Sequence, residues 1–219
     1  MLAPDYPIVT DRLLLRPFAA GDVDDAHAYL RLEEVTRYLY WEPRDRSAAV
    51  DAVAVKAAQT VIGEPGERIT LAVVWRETGR VAGEVNLAYV SREHRQGEIG
   101  YVLNPAFQGR GIATEAAAQM LRLGFEGLDL HRIVARCDAR NVASTRVMGR
   151  LGMRCEAHFV HDEVFKGEWG DTFVYAILDH EWLAAKGAPT RAAAPVGAGS
   201  AGSAAGGGAS ASAPNGSWK

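Results

Sequence analysis

Two glycines at the junction of an extended segment and a helical one are the residues of this chain best suited to hold a charged ligand. The run is Glu98-Ile99-Gly100-Tyr101-Val102-Leu103-Asn104-Pro105-Ala106-Phe107-Gln108-Gly109-Arg110-Gly111-Ile112-Ala113-Thr114-Glu115. Glycine lets a backbone approach a ligand closely. The first N–H groups of a helix have no acceptor within the helix and face outwards. At an exposed helix end the dipole adds about 0.3–1 kcal/mol of attraction for an anion. Such a site suits a phosphate or pyrophosphate. The same glycines would equally serve a tight strand-to-helix turn without a ligand.

Two familiar phosphate loops do not fit. A P-loop needs Gly-Lys-Ser/Thr after its glycine run, and the chain contains no such tripeptide. A dinucleotide fingerprint needs a third glycine and an early parallel β-α-β unit. Here the third position is Thr114, and the loop follows antiparallel strands in mid-chain. A nicotinamide oxidoreductase is therefore disfavoured.

The elements that must position this loop read as follows. Ile8–Arg16 is a first strand, stopped by Pro17. Asp22–Arg31 is a short helix with Ala26, Tyr29 and Leu30 on one face. Ser47 caps a helix from Ala48 to Ile62. Thr70–Arg76 and Val81–Val90 form a hairpin across Glu77-Thr78-Gly79-Arg80, and Glu98–Leu103 follows as a third strand. Ile112–Glu126 is helical, His131–Cys137 a strand, and Val142–Leu151 a helix. Glu156–Phe165 and Asp171–Leu178 close the chain around Lys166-Gly167-Glu168. The order β α α β β β α β α β β predicts a mixed α/β sheet, mostly antiparallel, with one strand–helix–strand crossover.

The chain has 219 residues and a formal net charge of −3. From Gly187 to Lys219, 27 of 33 residues are Ala, Gly, Ser or Pro. That composition cannot bury enough apolar area to offset ordering entropy, so residues 187–219 are expected to form a disordered tail. Residues 1–186 then form one domain, with 22 basic and 27 acidic side chains. An acidic domain disfavours nucleic acid. The tail is too rich in Gly, Pro and Ser to span a membrane, and Met1–Thr10 carries no secretory signal. A cytoplasmic protein, monomer or homodimer, is the expectation. Cys137 and Cys155 fit neither a disulfide framework nor a zinc motif and read as buried free thiols. His158 and His161, three apart on a strand, face opposite sides and cannot chelate, so no metal is expected. His131 reads as structural.

Gln108-Gly109-Arg110-Gly111-Ile112-Ala113 resembles the [QR]-x-x-G-x-[GA] acetyl-CoA loop of the GNAT superfamily of N-acetyltransferases. Thr10-Asp11-Arg12-Leu13-Leu14-Leu15-Arg16-Pro17 resembles the opening strand of its ribosomal-protein-alanine (RimJ/RimL-type) branch. Asn141-Val142-Ala143-Ser144 with Gly149-Arg150-Leu151-Gly152-Met153, and Trp169-Gly170-Asp171 to Tyr175-Ala176-Ile177-Leu178, resemble two further segments. The likeness covers residues 8–183. It implies a GNAT-like fold whose strands splay at the cofactor slot, with a bulge that Gly100 would suit.

The resemblance implies the site residues as well. The cofactor pyrophosphate would lie on Gly109, Arg110, Gly111, Ile112 and Ala113, flanked by Gln108 and Thr114. The pantetheine arm would pair with Tyr101–Leu103, and Asn141 would bond it. Ser144 would stand near the sulfur as general acid, although Asn141 is equally an N-cap with Ser144 in the first turn. Glu98 and Glu163 compete as general base, because acyl transfer needs a neutral amine; an exposed strand carboxylate is the plain alternative for each. Arg37-Tyr38-Leu39-Tyr40-Trp41-Glu42-Pro43 would line the acceptor cleft, or its aromatics would form core or a lid. The implied reaction moves acetyl from acetyl-CoA to a primary amine, at a protein N-terminus or on a small molecule, by direct attack in a ternary complex. A non-catalytic acyl-CoA sensor of the same fold is the alternative.

Overall fold

The computed structural model describes residues 1–187. The tail expected over 187–219 lies, beyond Gly187, outside the described residues. Alternating side chains of period two build a single sheet. Its strands are β1 (Ile8–Val9), β2 (Leu13–Pro17), β3 (Arg68–Trp75), β4 (Val81–Ser91), β5 (Gln96–Leu103), β6 (Arg132–Asp138), β7 (Arg154–Phe165) and β8 (Glu168–Leu178). They lie in the order β1-β2-β3-β4-β5-β6-β8-β7. Every pair is antiparallel except β5 with β6. The helices are α1 (Val23–Leu30), α2 (Glu33–Thr36), α3 (Arg46–Ala57), α4 (Ile112–Arg122), α5 (Val142–Arg150) and α6 (Asp179–Ala185). No described helix is long and apolar enough to cross a membrane.

Each face of the sheet has its own core. On one, Leu13, Leu15, Leu71, Val73, Leu87 and Ile99 pack on Ile112, Ala116, Met120 and Leu121 of α4. On the other, Ala72, Val74, Val81 and Val102 pack on Ala26, Tyr29 and Leu30 of α1 and Ala49, Ala52 and Val53 of α3. Glu84 of β4 is buried in that second layer. It accepts from the Tyr29 hydroxyl at 2.8 Å and is paired with Lys56 of α3, so a buried charge ties both helices to the sheet.

Several elements differ from the sequence expectation. The first strand is two: Thr10 Oγ1 accepts from Leu13 N–H at 2.9 Å and turns the chain between β1 and β2. Asp45, not Ser47, caps α3, accepting from Ala48 N–H at 2.8 Å. That helix ends at Ala57 because Gln59 bonds Thr70 and Ile62 bridges to Leu2. The helix from Ile112 gives way to a wider turn over Leu123–Gly127, where Leu128 N–H reaches the Leu123 carbonyl. α6 was not foreseen; Glu181 caps it by accepting from Leu178 N–H at 2.8 Å. Cys137 is half-buried and Cys155 is exposed, because β7 is an edge strand whose side chains largely face solvent. His131 is also exposed and stands 3.2 Å from Asp179. Alternation fails at His158 and His161, because the β7–β8 register breaks between Phe159 and Glu163. Asp171 instead meets the His158 ring at 3.1 Å and the His161 N–H at 2.9 Å.

The β1–β2 turn is clamped to α4. Glu115 Oε1 accepts from Thr10 Oγ1 at 2.6 Å, and Glu115 Oε2 accepts from Arg12 Nε at 2.7 Å. Arg12 Nη1 also donates to the Arg110 carbonyl at 2.7 Å, so the clamp reaches the glycine loop itself. Partial burial acts to raise the Glu115 pKa, but the bonds from Thr10 and Arg12 outweigh it and hold the carboxyl below its ordinary value. A depressed folded-state pKa gives stability that is full above the unfolded-chain value of about 4.3 and is lost as pH falls through the folded value. Glu115→Ala should therefore lower unfolding free energy by about 2 kcal/mol at neutral pH. Urea titrations of both proteins should show that gap near pH 7 and a narrower one near pH 3; an equal gap at both would contradict the clamp.

Candidate active site

Strands β5 and β6 pair only at Gln96↔Arg132, Gly97↔Ile133 and Glu98↔Val134. Beyond Glu98 they separate. β5 continues along β4 to Leu103↔Gly83, while β6 continues along β8 to Asp138↔Thr172. Gly100 is in plain register with Asn86, and the irregularity between β4 and β5 lies at Tyr89–Ser91. The expected bulge at Gly100 is thus absent from the β4 pairing. The gap comes from the divergence of two half-sheets.

Two adjoining cavities open at this gap. The larger, about 530 Å³, is lined by Tyr101, Leu103, Gln108, Gly109, Gly111, Ile112, Ala113, Thr114, Asn141 and Ser144. These are all but one of the residues expected to hold the cofactor. The exception is Arg110, whose guanidinium lies over the Trp75 ring at 5.9 Å and does not line the cavity. Arg37, Arg146 and Arg150 line it instead. The last two are four apart on α5 and therefore share a face, a spacing visible in the sequence.

The loop is built for an anion. Gly109 and Gly111 have φ of 74° and 76°, the left-handed region that other residues resist. A Cβ on Gly109 would meet nothing within 4 Å, so the backbone there borders open space. Glu115 N–H bonds Gly111 O at 3.0 Å and closes the first helical turn. The N–H groups of Ile112, Ala113 and Thr114 precede it and have no acceptor within the helix. Thr114 Oγ1 is buried and has no hydrogen-bond partner among the described residues. An orphaned hydroxyl beside free N–H donors fits a phosphate-bearing group.

The smaller cavity, about 350 Å³, holds Glu98 and Glu163 together with Tyr38, Tyr40, Arg136, Cys137, Asp162 and Phe165. Tyr38, Leu39, Tyr101, Asn141 and Ser144 line both cavities, so they are the wall between a basic and an acidic compartment. Glu98 is 9% exposed, and burial raises its pKa, with Arg136 and Arg68 pulling the other way. Arg136 Nε stands 3.8 Å from its carboxylate. Glu163 Oε1 accepts from the Tyr40 hydroxyl at 2.5 Å.

At the wall, Asn141 Oδ1 accepts from Ser144 N–H at 3.1 Å, so Asn141 does cap α5. The Tyr101 and Ser144 hydroxyls are 2.9 Å apart. Burial keeps the Tyr101 phenol protonated well above its ordinary range and pushes the Cys137 thiol to about 11. The Tyr101 hydroxyl is a proton-bearing group that sequence reasoning missed, having used this residue only for its backbone. Among the described residues no three His, Cys, Asp or Glu side chains group as a metal site.

Comparison with known proteins identifies the family. A family described as "Acetyltransferase (GNAT) domain" matches residues 12–154. The Bacillus subtilis uncharacterized N-acetyltransferase YnaD is 35% identical over 80% of this chain and 98% of its own length. The Escherichia coli spermidine N(1)-acetyltransferase is 27% identical over 78% of this chain and 88% of its own. Among solved structures, a GNAT-family acetyltransferase from Bacillus anthracis superposes with a TM-score of 0.69 at 31% identity, covering 78% of this chain and 98% of that one. With its loop, its splayed sheet and its matched residues, the chain belongs to the GNAT family of acetyltransferases.

Proposed function

We propose that this acetyltransferase works by direct attack of a primary amine in a ternary complex, with Glu98 as general base and the Tyr101–Ser144 pair as the proton source for the departing sulfur. The observation that carries the reading is the shared wall between the basic and acidic cavities, which sets Glu98 on one side and the glycine loop on the other. Acetyl-CoA is the family's co-substrate and supplies an acetyl group activated as a thioester.

The residues divide the work as follows. Gly109, Gly111, Ile112, Ala113 and Thr114 hold the pyrophosphate through N–H groups and the Thr114 hydroxyl, with Arg146 and Arg150 adding charge. Arg110 contributes its backbone and not its guanidinium. The free edge of β5 along Tyr101–Leu103 offers backbone groups to an extended arm. Its N–H near Leu103 suits an oxygen on which charge develops. Glu98 takes one proton from the ammonium and passes it to solvent, and the neutral amine then attacks the thioester carbonyl. As the C–N bond forms and the C–S bond breaks, the Tyr101–Ser144 hydroxyls give a proton to the departing sulfur and regain the one that the new amide nitrogen loses. Glu163, bonded to Tyr40, serves to shape the acceptor pocket more than to move protons. Burial keeps Cys137 a neutral thiol, which supports direct transfer over an acetylated-cysteine route.

The acceptor is a primary amine. The relatives do not single out one kind: they include a spermidine acetyltransferase and a ribosomal N-acetyltransferase-like protein. The resemblance to the RimJ/RimL-type branch and a cytoplasmic setting belong to this proposal.

Three outcomes test it. Because the Glu98 pKa is raised, activity should climb with pH through a limb above the ordinary carboxylate range; Glu98→Gln should erase that limb and cost about 10²–10⁴-fold in kcat. An unchanged profile would pass the role to another group. Gly111→Trp should abolish acetyl-CoA binding by calorimetry, and binding at wild-type affinity would refute the loop assignment. Cys137→Ala should keep kcat within about threefold, since less than 1 kcal/mol of transition-state stabilisation would be lost; a collapse in single-turnover experiments would instead favour a covalent route.

A further inference from the structure

The smaller cavity is closed on one side by a contact between segments far apart in sequence. Residues 38–42 follow α2, and residues 163–166 form the end of the β7–β8 hairpin. Tyr40 donates to Glu163, and its ring meets Phe165 edge-on at 5.4 Å. Lys166 Nζ lies 3.3 Å from the Trp41 carbonyl and 3.3 Å from the Glu42 carboxylate. One segment adjoins the β4–β5 half-sheet and the other belongs to the β8–β7 half-sheet. Their contact therefore bridges the two halves as a strap beside Glu98.

Tyr40, Glu163 and Phe165 of the strap line the cavity that holds Glu98, so the strap forms one of its walls. A polypeptide acceptor would have to fit its following residues beside that wall, and a small amine would not. The cavity's volume of about 350 Å³ is at the small end of the range for small-molecule sites, about 300–1,000 Å³. Its lining also has a sign. Glu98, Asp138, Asp162 and Glu163 line the space with Arg136 as the counter-charge in the lining, and Tyr38 and Tyr40 line it as well. Carboxylates and aromatic rings together favour an ammonium.

We infer that the acceptor is a small aliphatic amine bearing a second cationic group, held under the 38–42 strap, and not the N-terminus of a polypeptide. The inference rests on the acetyltransferase reading above, and it adds the acceptor's size and charge. The amine that reacts lies toward Glu98, and the second ammonium lies toward Asp162 and Glu163.

The experiment compares 1,4-diaminobutane, n-butylamine and a tripeptide with a free N-terminus in acetyl-CoA thiol release by the full chain. The same three ligands are titrated calorimetrically into CoA-saturated protein. The diamine should exceed both others in kcat/KM by about tenfold or more. Asp162→Asn should narrow its lead over n-butylamine. Tyr40→Phe combined with Lys166→Ala, which frees the strap, should narrow its lead over the tripeptide. A tripeptide used as well as the diamine by the wild-type chain would overturn the inference, as would equal use of the diamine and n-butylamine. If acetyl-CoA binds but no amine releases thiol, the catalytic reading fails, and calorimetry alone decides the rest. Binding of the diamine without the tripeptide would uphold the pocket's selectivity. Binding of the tripeptide, or of neither, would overturn it.

Discussion

Three register positions join β5 to β6, and among the described residues they are the strand pairing that holds the two halves of the sheet together. Each strand has a second partner that it follows past that point, β4 for one and β8 for the other. Neighbouring strands twist by about 20–25° relative to one another, so two half-sheets that stop sharing hydrogen bonds move apart. The result is an internal edge of unpaired backbone on β5 in the middle of the molecule. Buried backbone groups need partners, and an extended ligand arm is a physically apt one. The position of Glu98 follows from the same constraint. It is the last paired residue of β5 facing β6, so it sits at the apex of the gap.

The electrostatics are local. The domain is acidic overall, yet the groove beside the glycine loop gathers Arg37, Arg146 and Arg150, while the adjoining pocket gathers Glu98, Asp162 and Glu163. On the proposed reading, an anionic donor and a cationic acceptor would be sorted by compartment over a short distance, without help from the net field. The Tyr101–Ser144 pair stands on the boundary. Its hydroxyls belong to a strand and to a helix start, and Asn141 fixes the second by capping α5. The clamp of Thr10 and Arg12 on Glu115 performs a similar task for the loop, holding Arg110's carbonyl while its side chain turns to Trp75.

Much of this was legible in the sequence, and the failures share a cause. Strand alternation, the glycine pair and the Asn141 cap are local signals, and they located the sheet, the loop and α5. What was missed depends on contacts between distant segments. Arg110 is adjacent to the loop glycines but is drawn away by Trp75, and the charges that replace it come from a helix some 40 residues later. Helix α3 ends early because Gln59 and Ile62 find partners at Thr70 and Leu2. Cys155 is exposed because β7, although last but one in sequence, is outermost in space. No window of sequence contains the meeting of Tyr40 with Glu163, 123 residues apart.

The most direct measurement is a crystal structure of the chain with acetyl-CoA. The arm should lie between the separated ends of β5 and β6 along Tyr101–Leu103. Its pyrophosphate should contact the N–H groups from Gly109 to Thr114, and its sulfur should stand beside the Tyr101 and Ser144 hydroxyls. A donor bound elsewhere, or strands β5 and β6 paired beyond Glu98 in the complex, would contradict the reading of the gap as the catalytic slot.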